Sequence, residues 1–301
     1  MVNSVKTLWS TLCETAQLTG SQRKLWWPFA ITACVELLLI ALIWLAPQSP
    51  LSSVLAPPIR FFFGERVLHY PWHLWFLYHA MKHTHLVAST LIGAFLSGVA
   101  CVMVRQVRDG QVPSLRAALI SRQVRYPTVL ALWLTTWILA QGVSEIVNRV
   151  APKSIEALWV GIGLTVMLQA AFVYAIPAAV YNREGWKTAL IHSLRETLRH
   201  PLSTALIVSV PSAIVIAWSI IASEGRVAHW MLATIPEVAI LFVAARLLMW
   251  TIADAVITVA AAHLWWVHRV EERDSQVVHL PAARRGARRT LAVAKEGSAV
   301  A

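Results

Sequence analysis

The sequence predicts an all-α polytopic membrane protein: a helical bundle with six transmembrane helices, cytoplasmic surface helices and a threefold hairpin repeat. Three observations lead there. Of the 301 residues, 57% are hydrophobic and 14% charged, with a mean hydropathy of +0.60; soluble domains carry about 25% charge. Six apolar stretches each approach the ~20 residues that a helix needs to cross a bilayer. Lysine and arginine crowd alternate connections between those stretches.

The stretches run from Pro28 to Ala46, His85 to Val104, Pro127 to Val147, Ala157 to Tyr181, Leu202 to Ala222 and Val238 to Trp266. The last is long enough to tilt or to continue past the bilayer. The first contains Glu36 and lacks a small-residue cleavage site, so it reads as a retained span rather than a signal peptide. The chain thus divides into a cytoplasmic amphipathic N-terminal helix (1–27), a six-span membrane domain (28–267) and a basic flexible cytoplasmic tail (268–301).

Orientation follows from the basic residues. Nineteen of the Lys and Arg fall in the N-terminal segment, the second and fourth connections and the tail; six fall on the opposite side, and Arg246 lies inside a span. The positive-inside rule then places both termini in the cytoplasm of a bacterial inner membrane. The formal charge of +11 is therefore a topology signal, with anionic lipid headgroups as its partner and no nucleic acid required. Cys13, Cys34 and Cys101 are scattered and form no CxxC pair, which removes zinc-ribbon and dithiol readings.

The two basic connections resemble each other. One opens Arg108-Asp109-Gly110 and closes Val124-Arg125-Tyr126-Pro127; the other opens Arg183-Glu184-Gly185 and closes Leu198-Arg199-His200-Pro201. In the second, Trp186, Leu190, Leu194 and Leu198 recur every four residues, a narrow apolar stripe suited to a helix on the membrane surface. Pro28, Pro127 and Pro201 suit the first turn of the span that follows, where no helical N–H is lost. The segment "IPAAVYNREGWKTALIHSLRETLRHP", residues 176–201, resembles uncharacterised bacterial and archaeal six-span membrane proteins. It is also similar to the membrane domain attached to some glycerophosphodiester phosphodiesterases, on Pro177, Glu184, Gly185, Ala189, Leu190 and Ser193. That resemblance implies the six-span layout. It implies no phosphodiesterase activity, because no catalytic residue of that enzyme lies in the shared segment.

Ionisable groups at bilayer depth are costly, about 2.5 to 3.5 kcal/mol each, so each needs a partner or a task. Glu36, Arg246 and Asp254 are charges within spans, and Gln169, Gln141 and Glu145 are candidates to join them. Counting helical rise sets Glu36 about 12 Å above the inner boundary, vertically between Arg246 and Asp254. Glu36 and Arg246 are thus expected to meet across the first and last spans. The set reads either as an interhelical ion pair that fixes packing or as a polar pathway.

The stretch from Gly64 to His85 holds five of the eleven histidines, His69, His73, His79, His83 and His85. Tyr70, Trp72, Trp75, Phe76 and Tyr78 are interleaved with them, and the whole reads as an aromatic collar at the outer headgroups, leading into the second span. His79 and His83 share a helix face four residues apart, the spacing of two metal ligands. No HExxH accompanies them, since residue 80 is Ala. A metal ion there is the sole cofactor candidate, and none is otherwise predicted. GxSxG, Walker A and GxGxxG are all absent, so no catalytic residue is named. The expected function is a non-enzymatic transport-related or complex-organising subunit, alone, as a homo-oligomer or with a partner membrane subunit. The alternatives are a membrane-embedded enzyme acting on lipid or a lipid-linked substrate, and an outer-face metal-binding or pH-sensing protein.

Overall fold

A computed structural model describes residues 13–15, 17–70, 72–150, 155–224, 235 and 237–278. Among them every regular element is helical. Six helices are long and apolar enough to cross a membrane: Arg23–Leu45, His83–Arg108, Tyr126–Val147, Trp159–Asn182, Pro201–Trp218 and Ile240–Val270. They match the six apolar stretches of the sequence to within a few residues, and the fold is an all-α bundle.

Helix α1 (Trp27–Leu45) follows a 3-10 turn over Arg23–Trp26 and carries Pro28 in its first turn. Helix α2 (Ser52–Phe63) and a 3-10 turn (Glu65–Leu68) form the first connection. Helix α3 (Trp72–Ala88) passes through one π-helical segment, Ser89–Gly93, into α4 (Ala94–Arg108). The histidine stretch therefore does lead directly into the second span. After Arg108 the chain turns in a Schellman motif. Gly110 at φ 75° occupies the left-handed position, its N–H bonds the Val107 carbonyl and the Gln111 N–H bonds that of Gln106.

Short helix α5 (Leu115–Ile120) is capped by Ser114, whose Oγ accepts from the Ala117 N–H. Helices α6 (Tyr126–Val150) and α7 (Ile155–Phe172) are the third span and most of the fourth. The fourth span breaks at Val173–Tyr174 and resumes as α8 (Ala175–Asn182). Helix α9 (Trp186–Arg199) precedes the fifth span, α10 (Pro201–Glu224), which contains Pro211. The sixth, α11 (Val238–Val278), is one 41-residue helix.

Successive spans pack as three hairpins, and α11 closes the bundle against α1, α3 and α4. The second span is the central one: 61% of it is buried, against 11% of the third and of the fourth. Small residues make its close packing possible. A Cβ on Gly98 would stand 2.9 Å from Val124 Cγ1, and α11 presents Ala255, Ala260, Ala261 and Ala262 to the core.

Two side-chain contacts define the ends of the bundle. At one, Tyr70 donates to Glu237 Oε1 at 3.1 Å; we call this the histidine-rich end. At the other, Arg125 Nη1 reaches the Arg183 carbonyl at 3.5 Å and joins the two arginine-rich connections; this is the basic end.

The two connections differ more than their sequences suggest. The first holds a six-residue helix and the second a fourteen-residue one. Gly110 takes the left-handed conformation in the first motif, whereas in the second Arg183 takes it, at φ 56°, and Gly185 is extended. The Arg-acid-Gly triplets thus terminate their helices two residues out of step. Residues 1–12 and 16 of the expected N-terminal helix lie outside the described residues, as does the tail beyond 278, while residues 268–278 continue the last helix rather than beginning a tail.

Candidate functional site: a polar cavity inside the bundle

Irregular backbone marks the site. The π segment at Ser89–Gly93 inserts a wider turn into the second span, a feature that clusters at functional sites. The fourth span is interrupted two residues before α8 begins, and Pro177 within α8 has no N–H to offer the preceding turn. Non-helical backbone at membrane depth survives only where protein or a water-lined cavity satisfies it. Helix α9 supplies that. Ser193 Oγ donates to the Ala171 carbonyl at 2.9 Å and accepts from the Tyr174 N–H at 3.1 Å. Thr197 Oγ1 donates to the Ala170 carbonyl at 2.9 Å.

Helix α9 therefore does more than lie on a surface. It buries Ala189, Ser193 and Glu196 against the broken span and turns Trp186, Leu194 and Leu198 of its apolar stripe outward.

Between these two irregular spans lies a cavity of about 230 Å³. Every span except the fifth lines it, with Thr32 and Glu36 from α1, Ser89 and Ser97 from the second span, Thr136 from the third, Gln169 from the fourth and Asp254 from the sixth. It extends from Glu36 to Phe29, about 10 Å of helical rise toward the basic end. Gly93 sits where a Cβ would meet Thr32 Cγ2 at 3.4 Å, so the π segment approaches α1 closely.

The polar lining is built around one pair. Glu36 is 3% exposed, and its Oε1 lies 2.9 Å from Nδ1 of His85. With the carboxylate ionised, that nitrogen carries the proton and donates. The His85 ring also meets the Trp250 ring edge-on, centroids 4.7 Å apart at 69°. Asp254 is within electrostatic reach of both Glu36 and His85. It is exposed and borders the cavity. Gln169 accepts from Ser212 Oγ at 3.4 Å. The lining contains two carboxylates, one imidazole and several hydroxyls, with no lysine or arginine.

The sequence expectation placed Arg246 opposite Glu36; the structure places His85 there. Arg246 lies outside the lining, within electrostatic reach of His85. His85 was assigned to the collar, yet it turns inward. One helical residue rotates by ~100°, so His85 points ~200° away from His83, which is exposed. Of the expected metal pair, the His79 side chain lies outside the described residues. His69 is exposed and 3.8 Å from Glu65. His73 is half-buried, and burial holds it below the ordinary histidine value despite its contact with the His69 backbone.

Several motif residues at the basic end have close side-chain partners. Arg108 Nη2 donates to His263 Nε2 at 2.7 Å and stands 3.8 Å from Glu14. Asp109 pairs with Arg105 at 3.5 Å, and Glu184 accepts from Asn182 and His192, both at 2.8 Å. His192 and His200 contact Glu184 and Glu196. Sequence reasoning gave no inward-facing role to His85 or Ser193 and did not single out Thr197, His263 or His268. The one available signal was the Ser-Thr-x-x-Gly run that ends at Gly93, directly after the histidine stretch.

Comparison of the chain with known protein families, with curated proteins and with solved structures gives no match.

Proposed function

We propose that the protein is a transport-related, multi-pass component of the bacterial inner membrane, with both termini cytoplasmic, whose central cavity takes a proton or a small cationic solute. One observation carries the reading: a buried Glu36–His85 pair and Asp254 line a single cavity between two helices of interrupted geometry. Discontinuous helices around a mid-membrane polar site are the recurring design of secondary carriers. The chemistry of the lining selects for positive charge, since it offers two carboxylates and hydroxyl oxygens with no fixed cation among them. Uptake or release of one proton by the His85 ring changes the net charge of the pair by one, whereas a shift of that proton between His85 and Glu36 leaves it unchanged. The resemblance of residues 176–201 to other six-span proteins supports the same unit. Pro177 and Ser193, two of its shared residues, sit at the break and at its repair.

Thermal unfolding of the purified chain in detergent, against a panel of alkali cations, divalent cations and small amines, tests this. A bound solute stabilises in proportion to RT ln(1 + [L]/Kd), about 2.7 kcal/mol at a hundredfold excess over Kd. At least one cation is expected to raise the midpoint of the wild type, and Glu36→Gln and Asp254→Asn to lose that response. A panel without any shift, or shifts equal in the variants, would overturn the reading.

A further inference from the structure

Side chains from two helices that are far apart in sequence converge at the basic end. Glu196 and His200 stand one turn apart at the end of α9, and His268 comes from the last third of α11. One donor atom from each lies within 4.8 Å of the other two. Glu196 Oε1 is 2.9 Å from Nδ1 of His268 and 3.6 Å from Nε2 of His200. The two imidazole rings stack, centroids 3.8 Å apart with 19° between planes.

Two features distinguish this cluster from a surface ion pair. Glu196 and His268 have side chains only 10% and 11% exposed. Nδ1 of His268 is fully buried and, despite its short approach to the carboxylate, lacks the alignment of a hydrogen bond. A buried nitrogen in that condition calls for a water or an ion.

We propose that Glu196, His200 and His268 form a binding site for a divalent transition-metal ion of the zinc class. One carboxylate and two imidazoles are a zinc ligand set, with metal–ligand distances of about 2.0 to 2.2 Å and a fourth position left to water. A tetrahedron of those dimensions separates its donors by about 3.4 Å, close to the two separations from Glu196 Oε1. Arg199 Nη1, 3.8 Å from Glu196 Oε2, steadies the carboxylate from outside. The bound ion fastens α9 to α11. Because Ser193 and Thr197 of α9 fill the break in the fourth span, it also fixes that break. The site is about 21 Å along α11 from Asp254, so it stands or falls independently of the cavity reading.

The test uses the full chain, purified without a histidine tag and stripped with a chelator, then titrated with zinc by calorimetry and metal analysis. The wild type is expected to take up one zinc per chain. Glu196→Gln and His268→Gln are expected to weaken it by at least about tenfold, and the double variant of His79 and His83 to alanine to leave it unchanged. If a variant fails to fold, cobalt substitution of the wild type decides instead: visible bands of a low-coordinate nitrogen and oxygen site support the proposal, and the spectrum of hydrated cobalt overturns it. Wild type that takes up no zinc at micromolar free metal, uptake unaffected by the Glu196 and His268 changes, or loss of zinc on changing His79 and His83 would also overturn it.

Discussion

Between residues 64 and 85 the histidines are dense in sequence and dispersed in space, whereas His200, His263 and His268 are sparse in sequence and each packed against a charged partner at the basic end. At the histidine-rich end, His69 and His83 are exposed and His73 is a half-buried neutral ring. His85, the last of the five, is the one that enters the bundle and pairs with a buried acid. What separates His83 from His85 is the helical rotation between them, not composition. Local density of a reactive residue type therefore says little about chemistry; convergence from separate helices says more.

The largest effect that sharpens this comparison is expected at His85. His85→Leu strands the Glu36 carboxylate inside the bundle, and breaking a buried pair in this way costs about 3 to 5 kcal/mol. Reversible unfolding in mixed micelles should show it, and Glu36→Leu combined with His85→Leu should recover most of the loss. Next comes the repair of the fourth span. Ser193→Val leaves the Ala171 carbonyl and the Tyr174 N–H without their partner, at about 1 to 3 kcal/mol for each buried group. Faster backbone hydrogen exchange around residues 170–174 should accompany it.

A smaller, pH-dependent effect belongs to His73. Its folded value lies below the ordinary 6.5, so between the two the unfolded chain binds more protons than the folded one. Stability should therefore fall as pH drops through 6.5 and level off below the folded value. His73→Phe should flatten the unfolding midpoint across that window. The smallest effects are expected at His69→Ala and His83→Ala, within about 0.5 kcal/mol, because both side chains are exposed. A loss at His83 as large as that at His85 would break the comparison.

Much of the fold was legible because bilayer thickness imposes a length on apolar runs, and proline marks where spans begin. Glu36, Asp254 and Gln169 were legible as a polar set for a similar reason, since charge at bilayer depth is rare. Their partners were not. Rise along a helix is countable from sequence, which gave Glu36 and Arg246 similar depths. Azimuth depends on how the helices pack, and that put His85 in the place expected for Arg246. The break at Val173–Tyr174 was hidden because the residues that stabilise it, Ser193 and Thr197, lie some twenty to twenty-seven positions away. Glu196, His200 and His268 were hidden by the same separation, and by a boundary drawn at residue 267 where the helix in fact continues to Val278. Pro211, a conspicuous kink signal, lies inside a single helix, α10, while Pro177 accompanies the interruption.

The claim at the centre of this account is that Glu36 and Asp254 border a hydrated cavity rather than a sealed ion pair. Labelling with a water-soluble carbodiimide and a small amine nucleophile, followed by peptide mass spectrometry, tests it most directly. The account predicts modification of Asp254, with Glu36 modified more slowly unless His85 is replaced, and protection of both by the cation that stabilises the wild type. Modification of exposed carboxylates such as Glu65 and Glu145 with neither Glu36 nor Asp254 touched, in the wild type and in His85→Leu alike, would contradict it.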